Sequence, residues 1–442
     1  MSSKYLIPKE KGLGIVNTAV FIVGDVSGTG ILSLARAVED TGWTGLILIV
    51  VFAIISAYTG ILLGEAWIMA SELFEDCKGH IQNPYQLLAQ KTYDKVGRYV
   101  LSVSLHTTVF GGAVVFLLLA ADNMQSLVQT LGYDLSFCFW VLILITLLLP
   151  LTWFGTPKHF WLIAYGSTLS TISTTAIILV SVGEEAPTQP KVRHHEINGE
   201  GFMLALGTIV FALGGHPNFL TLQVDMNRQK DFRKSIFLTF IIVSCLYLPV
   251  ASVGYFVYGD SLDANIINNL PPGGPTYVAL ILITIHLLSA FVIILNPLLQ
   301  EVDMVLHVPK EFTWKRCVTR SFVLICVLFV AETIPKFEYV LSLIGGSSLT
   351  ILVFICPILF HMRMCKLKAN AGNNVAMVTM DVQAPLDEKF EPIAPWRKVL
   401  NYEIICIGVL AGVTATVSAI INIVSPDSFS VPCYINITRA ST

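Results

Sequence analysis

Long apolar runs recur along the whole chain, separated by short polar stretches. They occupy 13–38, 43–68, 99–121, 136–155, 160–182, 201–224, 235–258, 276–299, 317–333, 337–361 and 401–424. Most reach the roughly 20 residues that a helix needs to cross a ~30 Å hydrocarbon core. A transmembrane β-strand is much shorter, and lipid leaves an open sheet edge unsatisfied. The pattern predicts an all-α membrane protein with 11 transmembrane helices. Only Thr333 to Lys336 separates the ninth run from the tenth, and Pro335 marks the break.

Composition agrees with the pattern. Charged residues make up 13% of the 442 and hydrophobic residues 54%, against about 25% charged in an ordinary soluble domain. No long basic stripe suggests nucleic acid, so the expected surroundings are membrane lipid. The distribution of positive charge orients the chain. The N-terminus and alternate loops (69–98, 156–159, 225–234, 300–316 and 362–400, with the adjoining Arg320) hold 22 Lys and Arg. The opposite side holds four: Lys191, Arg193, Lys336 and Arg439. This excess predicts a cytosolic N-terminus. The C-terminal tail then lies outside or in a lumen, where Asn436-Ile437-Thr438 forms a glycosylation acceptor triplet. The first run is too long for a signal-peptide core and is expected to stay as an anchor.

The nine cysteines lie mostly inside the runs and show no metal-site spacing. No metal or cofactor is expected. Cys138 and Cys433 are the two near the outer face, so at most one exterior disulfide is possible. Cys365, just below the tenth run, is a palmitoylation candidate. The outer stretch 184–200, with Glu184, Glu185, His194, His195, Glu196 and Glu200, reads as a solvated loop.

Two runs are interrupted by residues that disfavour helix. The first contains Asp25-Val26-Ser27-Gly28-Thr29-Gly30, and the sixth contains Gly214-Gly215-His216-Pro217. Glycine costs about 1 kcal/mol against alanine in a helix and proline about 3. Both interruptions fall near mid-membrane, five helices apart. Such a pair points to an inverted-repeat transporter with its site at the two breaks. Unwound backbone is tolerated at membrane depth only where it lines a cavity or meets a ligand. Amides after a break, backed by a half-helix dipole, suit a carboxylate. Carbonyls before it suit a cation or an ammonium group. The competing reading is that the glycines serve close helix packing.

At these residues the chain resembles the amino acid/auxin permease family, in its plant-type amino acid permease branch. The resembling stretches are G-T-G-I-L-S-L-A-R-A (28–37) with G-W-T-G (42–45), F-A-L-G-G-H-P-N-F-L-T-L-Q (211–223), P-V-A-S-V-G-Y-F-V-Y-G-D (249–260) with N-I (265–266), and I-H-L-L-S-A (285–290) with Pro297. The resemblance implies a LeuT-type (APC) fold, a 5+5 inverted repeat plus one extra C-terminal helix. It divides the chain into a cytosolic tail (1–12), a first five-helix repeat (13–182), an outer loop (183–200), a second, inverted repeat (201–361), a cytosolic linker (362–400), the eleventh helix (401–424) and an outer tail (425–442). It further implies that Gly28, Thr29 and Gly30, beside Ser27, contact a substrate carboxylate, with Gly214, Gly215 and His216 as the facing wall. The chain departs from the family at Leu34-Ala35-Arg36-Ala37, where many relatives carry Leu-Pro-Tyr-Ala, and at Asp25, which is not a usual family residue.

Ionisable groups within a span are expensive and point to function. Asp25 is a candidate proton acceptor or cation ligand. His216 and His286 are candidate proton carriers, because imidazole titrates near neutral pH, and His106 reads as a satisfied interior histidine. Glu65 is a structural or gating candidate near the cytosolic end of the second run. Arg36 is a gating candidate that could snorkel outward, clamp an anionic part of the substrate or pair with Glu39 or Asp40. The expected function is a secondary active amino acid transporter working by alternating access, with H+ as coupling ion and Na+ as the alternative. A channel, a non-transporting receptor and a vesicular or lysosomal exporter are the rivals. The plasma membrane is the expected location. No enzyme arrangement such as His-Glu-x-x-His or Gly-x-Ser-x-Gly appears in the spans.

Overall fold

The computed structural model describes residues 12–79, 81–154, 160–189, 192–194, 199–309, 311–378, 393–425 and 431–436. The chain winds into helices α1 (Ile15–Thr41), α2 (Thr44–Leu73), α3 (Pro84–Thr130), α4 (Phe137–Trp153), α5 (Phe160–Glu185), α6 (Gly199–Ala212) and α7 (His216–Val224). The second half holds α8 (Phe232–Tyr258), α9 (Gly274–Val305), α10 (Trp314–Thr333), α11 (Phe337–Ile344), α12 (Cys356–Val378) and α13 (Pro395–Val424). Among the described residues, the sole β-type pairing is a bridge between Leu13 and Met226. Among the described residues, nine spans are long and apolar enough to cross a membrane; α6–α7 count as one and α11–α12 as another. The other two expected runs are α4, a shorter apolar helix, and α10, which carries Lys315, Arg316, Arg320 and Glu332. The break between α10 and α11 falls at Ile334–Lys336, where Pro335 was expected to place it.

Apolar side chains face both inward and outward, as a lipid-exposed bundle requires. Val23, Ile31, Leu117, Tyr247 and Leu295 are fully enclosed, whereas Ile47, Leu147, Leu169, Phe256 and Leu410 are exposed on the perimeter. The tenth run is held close by small residues. Between α11 and α12 the helix widens into π-helical turns, Gly345–Leu349 and Ile351–Ile355. A Cβ on Gly345 would strike the Gly207 carbonyl of α6, and one on Gly346 would lie 2.8 Å from Ala415 Cβ of α13. Close approach of this kind is how helices associate where lipid removes the hydrophobic drive.

The two ends of the bundle are tied by different chemistry. On the Lys/Arg-rich face, the buried Arg320 donates to Asp303 Oδ2 (2.9 and 2.8 Å) and to the carbonyls of Thr152 and Phe154 (2.7 and 2.8 Å). It thus closes the orphaned C-terminal carbonyls of α4 against α9. On the other face, a Cys138–Cys433 disulfide joins the start of α4 to the C-terminal tail. The Cys433 amide also donates to the Glu332 carbonyl (2.8 Å). These two cysteines and Glu332 lie close enough together to hold a metal, but the disulfide occupies both sulfurs.

Three expectations need correcting. α12 continues to Val378, so the first part of 362–400 is helix, and 379–392 lies outside the described residues. The loop 69–98 contains a helical stretch from Pro84 that ends in a kink at Tyr93 and Asp94, where φ of Asp94 is 54°. Cys365 is buried beside Met69 and His361, with no access for an acyl chain. His195 and Ile437-Thr438 also lie outside the described residues.

Peptide mapping of the non-reduced protein is expected to recover the Cys138 and Cys433 peptides joined. Arg320→Ala leaves the buried Asp303 with only the longer Arg316 contact (3.7 Å) and is expected to cost about 3 kcal/mol. Thermal unfolding in detergent reads this, and an unchanged transition would show that the pair carries no load.

Candidate functional site

The sixth span is broken where its residues demand it. α6 ends at Ala212 and α7 begins at His216, with Pro217 in its first turn. Proline suits that position because its missing donor has no intrahelical partner there. The two glycines of the break make room for neighbours. A Cβ on Gly215 would sit 2.6 Å from both Phe219 and Val26 of α1, and one on Gly214 would strike Leu349.

The first span is not broken. α1 is continuous from Ile15 to Thr41, through Asp25, Ser27, Gly28, Thr29 and Gly30. The expectation of an unwound segment there is overturned, and the packing explanation of the glycines replaces it. Gly24 lies against Thr168, Gly28 against the His286 imidazole and Gly30 against the Tyr247 hydroxyl. The hydroxyls within this stretch are satisfied inside the helix: Ser27 Oγ donates to the Val23 carbonyl and Ser33 Oγ to that of Thr29 (3.1 Å). The glycines allow partners close to the α1 backbone without opening it.

The seam between α1 and the sixth span carries two polar links. Asn218, in the first turn after the break, donates its side-chain amide to Asp25 Oδ1 and Oδ2 (3.1 and 2.9 Å). Asp25 is half-buried and faces the first turn of α7, whose amide end favours an anion. Tyr247 of α8, fully buried, brings its hydroxyl to the carbonyls of Val26 (2.9 Å) and Ala212 (3.0 Å). Neither Asn218 nor Tyr247 was singled out from the sequence. Asn218 had a signal, a polar side chain directly after the Gly-Gly-His-Pro break. Tyr247 had none, because it lies on an unbroken apolar helix.

The histidines divide. His286 places Nδ1 3.2 Å from the Ser167 carbonyl, which can only accept, so the proton lies on Nδ1 and Nε2 faces Gly28. His216 turns to α2, where Nε2 meets Thr59 Oγ1 at 3.0 Å. The Thr59 hydroxyl also reaches the Ile55 carbonyl at 3.0 Å. His216 Nδ1 is buried without a hydrogen-bond partner. The backbone of His216 stands at the seam, while its ring packs 4.6 Å from that of Phe219.

The gating candidates sit at the two ends, away from the seam. Arg36 pairs with Glu39 (3.1 Å) and Asp40 (3.4 Å) and donates to the Leu262 carbonyl (2.8 Å), holding the C-terminal end of α1 to the segment after α8. Glu65 pairs with His361 of α12 at 3.2 Å. His106 meets Glu301 at 2.8 Å. Asn436 is half-exposed in the tail beyond the disulfide.

The bundle of apolar helices around this seam has the LeuT-type fold, as its superposition on solved transporters shows. MhsT in complex with L-phenylalanine superposes with a TM-score of 0.55 at 12% identity, over 93% of this chain and 100% of that one. The Eremococcus coleocola manganese transporter, bound to an aromatic bis-isothiourea substituted compound, superposes with a TM-score of 0.54 at 14% identity, over 96% and 92%. The chain belongs to the transmembrane amino acid transporter protein family, which matches residues 11–383. Among its relatives are the amino acid transporters AVT1C (24% identical over 75% of this chain and 60% of the relative) and AVT1E (23% over 77% and 64%) of Arabidopsis thaliana. Amino acid transporter ANT1 of the same plant is 22% identical over 80% and 85%. The chain thus spans less than two thirds of the length of the first two.

Gly28→Ala sets a helix-propensity gain of about 1 kcal/mol against an overpacking cost of 1–3 kcal/mol at His286. A net loss of about 1 kcal/mol is expected. Gly166→Ala on α5, where a Cβ meets nothing within 4 Å, is expected to be neutral or stabilising. Thermal stability of the two variants in one detergent checks the opposite signs.

Proposed function

We propose that the protein is a secondary active transporter of amino acids, working by alternating access and coupled to protons. The observation that carries this reading is the seam where Asp25 of α1 meets Asn218 of the broken sixth span. A carboxyl held half-buried in an apolar bundle is costly to keep charged, so its protonation state is bound to its partners. Asn218 donates to the carboxylate form. A proton on Asp25 weakens that charge-assisted contact and frees the two helices to part. Parting them bares the amides of α7 and the carbonyls of α6, groups that suit the two charges of an α-amino acid. Family membership supports an amino acid as substrate, and the LeuT-type fold supports rocking of one helix bundle against another.

Positive charge on alternate loops supports a cytosolic N-terminus. We place the protein in the plasma membrane. The paired residues at the two ends then act as gates: Arg36 with Glu39 and Asp40 outside, Glu65 with His361 inside.

Purified protein in liposomes, given a mixture of labelled amino acids, is expected to take them up along an imposed pH gradient and to show saturation. Asp25→Asn is expected to reduce gradient-driven uptake at least tenfold. Uptake driven equally well by a sodium gradient alone would overturn proton coupling. Non-saturable flux would overturn the carrier.

A further inference from the structure

Three hydroxyls on α8 reach carbonyl oxygens of α1. Ser235 Oγ donates to Ile15 (3.1 Å), Thr239 Oγ1 to Ala19 (3.4 Å) and Tyr247 Oη to Val26 (2.9 Å). The donors are spaced by one and two turns, and the acceptors step along α1 in the same direction. A helical carbonyl keeps a second lone pair after its own helix bond, so α1 accepts these contacts while staying wound. α8 therefore grips α1 from its first turn to mid-membrane.

Tyr247 differs from the other two donors in reaching a second element. A continuous sixth span would direct the Ala212 carbonyl to the His216 amide. The break removes that partner, and a buried carbonyl left bare in lipid is costly. The Tyr247 hydroxyl stands 3.0 Å from it and has one proton for two acceptors. Its seat admits no slack: a Cβ on Gly30 would collide with the hydroxyl and would stand 3.0 Å from Ala212 Cβ. The ring is fully enclosed, so water is not at hand to replace the hydroxyl.

We propose that Tyr247 is the positioning residue of the candidate site, holding the frayed end of α6 in register with α1 as the last rung of the α8 hydroxyl ladder. The geometry of the break is then set by a residue on neither broken helix. The seam opens when the Tyr247 hydroxyl gives its hydrogen bond to one carbonyl and releases the other.

Hydrogen–deuterium exchange of the full-length protein in detergent tests the proposal without reference to transport. In Tyr247→Phe, amides in 26–33 and 212–218 are expected to exchange at least tenfold faster than in the parent. The rest of the chain is expected to stay within twofold. Tyr258→Phe removes another α8 hydroxyl, bonded to Glu185 at 2.6 Å, and is expected to leave both segments unchanged. Exchange within twofold in both segments of Tyr247→Phe overturns the proposal, and so does uniform acceleration along the whole chain. If Tyr247→Phe does not purify as a folded species, Gly30→Ala displaces the ring while keeping its hydroxyl, and the same two segments are expected to loosen.

A second arm rests on the proposed function. For whichever labelled amino acid the parent takes up best, Tyr247→Phe is expected to raise KM at least fivefold with the maximal rate within twofold. An unchanged KM counts against the positioning role. A parent without any uptake sinks the transport reading and leaves the exchange result standing.

Discussion

Backbone polar groups have no water to turn to inside a bilayer, and the sixth span breaks this rule at its middle. Everything near the break answers that one constraint. The Ala212 carbonyl, cut off from the next turn, meets the Tyr247 hydroxyl. The first turn of α7 faces the Asp25 carboxylate, with Asn218 between them. Each bond adds a modest net stabilisation, about 1 kcal/mol, but leaving either group bare costs about 1–3 kcal/mol. The seam is held by the penalty for opening more than by the strength of its contacts. That is the condition for an element that opens when a ligand or a proton takes over one of the partners.

The rest of the molecule keeps this seam from being merely loose. The glycines of α1 bring His286 and Tyr247 against its backbone, and those of the break admit Leu349, Phe219 and Val26. At the Lys/Arg-rich end, Leu13 pairs with Asp225 and Asn227, so the start of α1 and the end of α7 are tied by backbone bonds. At the other end Arg36 ties α1 to the segment after α8. Far from the seam, Arg320 locks α4, α9 and α10 through a buried charge that a membrane makes expensive to separate. The bonds at the seam are few and shareable, and those at the scaffold are charged and redundant.

The proposed function uses this unequal distribution. A carrier needs part of its bundle to move while another part holds still, and the difference has to be built from bond types. Neutral hydrogen bonds shared among carbonyls can be traded one for another at little cost. A guanidinium with a carboxylate and two carbonyl acceptors cannot. The hydroxyl ladder of α8 ties α1 to α8, so in the proposed alternating-access cycle the two would move together and close upon the break.

Much of the fold was legible in the sequence. The apolar runs, the split at Pro335 and the break at Gly214 to Pro217 follow from local chemistry: lipid demands helix, and glycine with proline ends it. The site was half legible. Asp25 and the glycines were visible because they are out of place in an apolar helix, but whether glycine opens a helix or lets a neighbour close upon it depends on what stands opposite. Only the tertiary structure supplied His286, Tyr247 and Thr168 as those neighbours, and with them α1 stays wound. Asn218, Tyr247 and the turn of His216 toward Thr59 share one cause. A hydrogen bond across helices depends on which faces the bundle brings together, and no spacing along one chain encodes that.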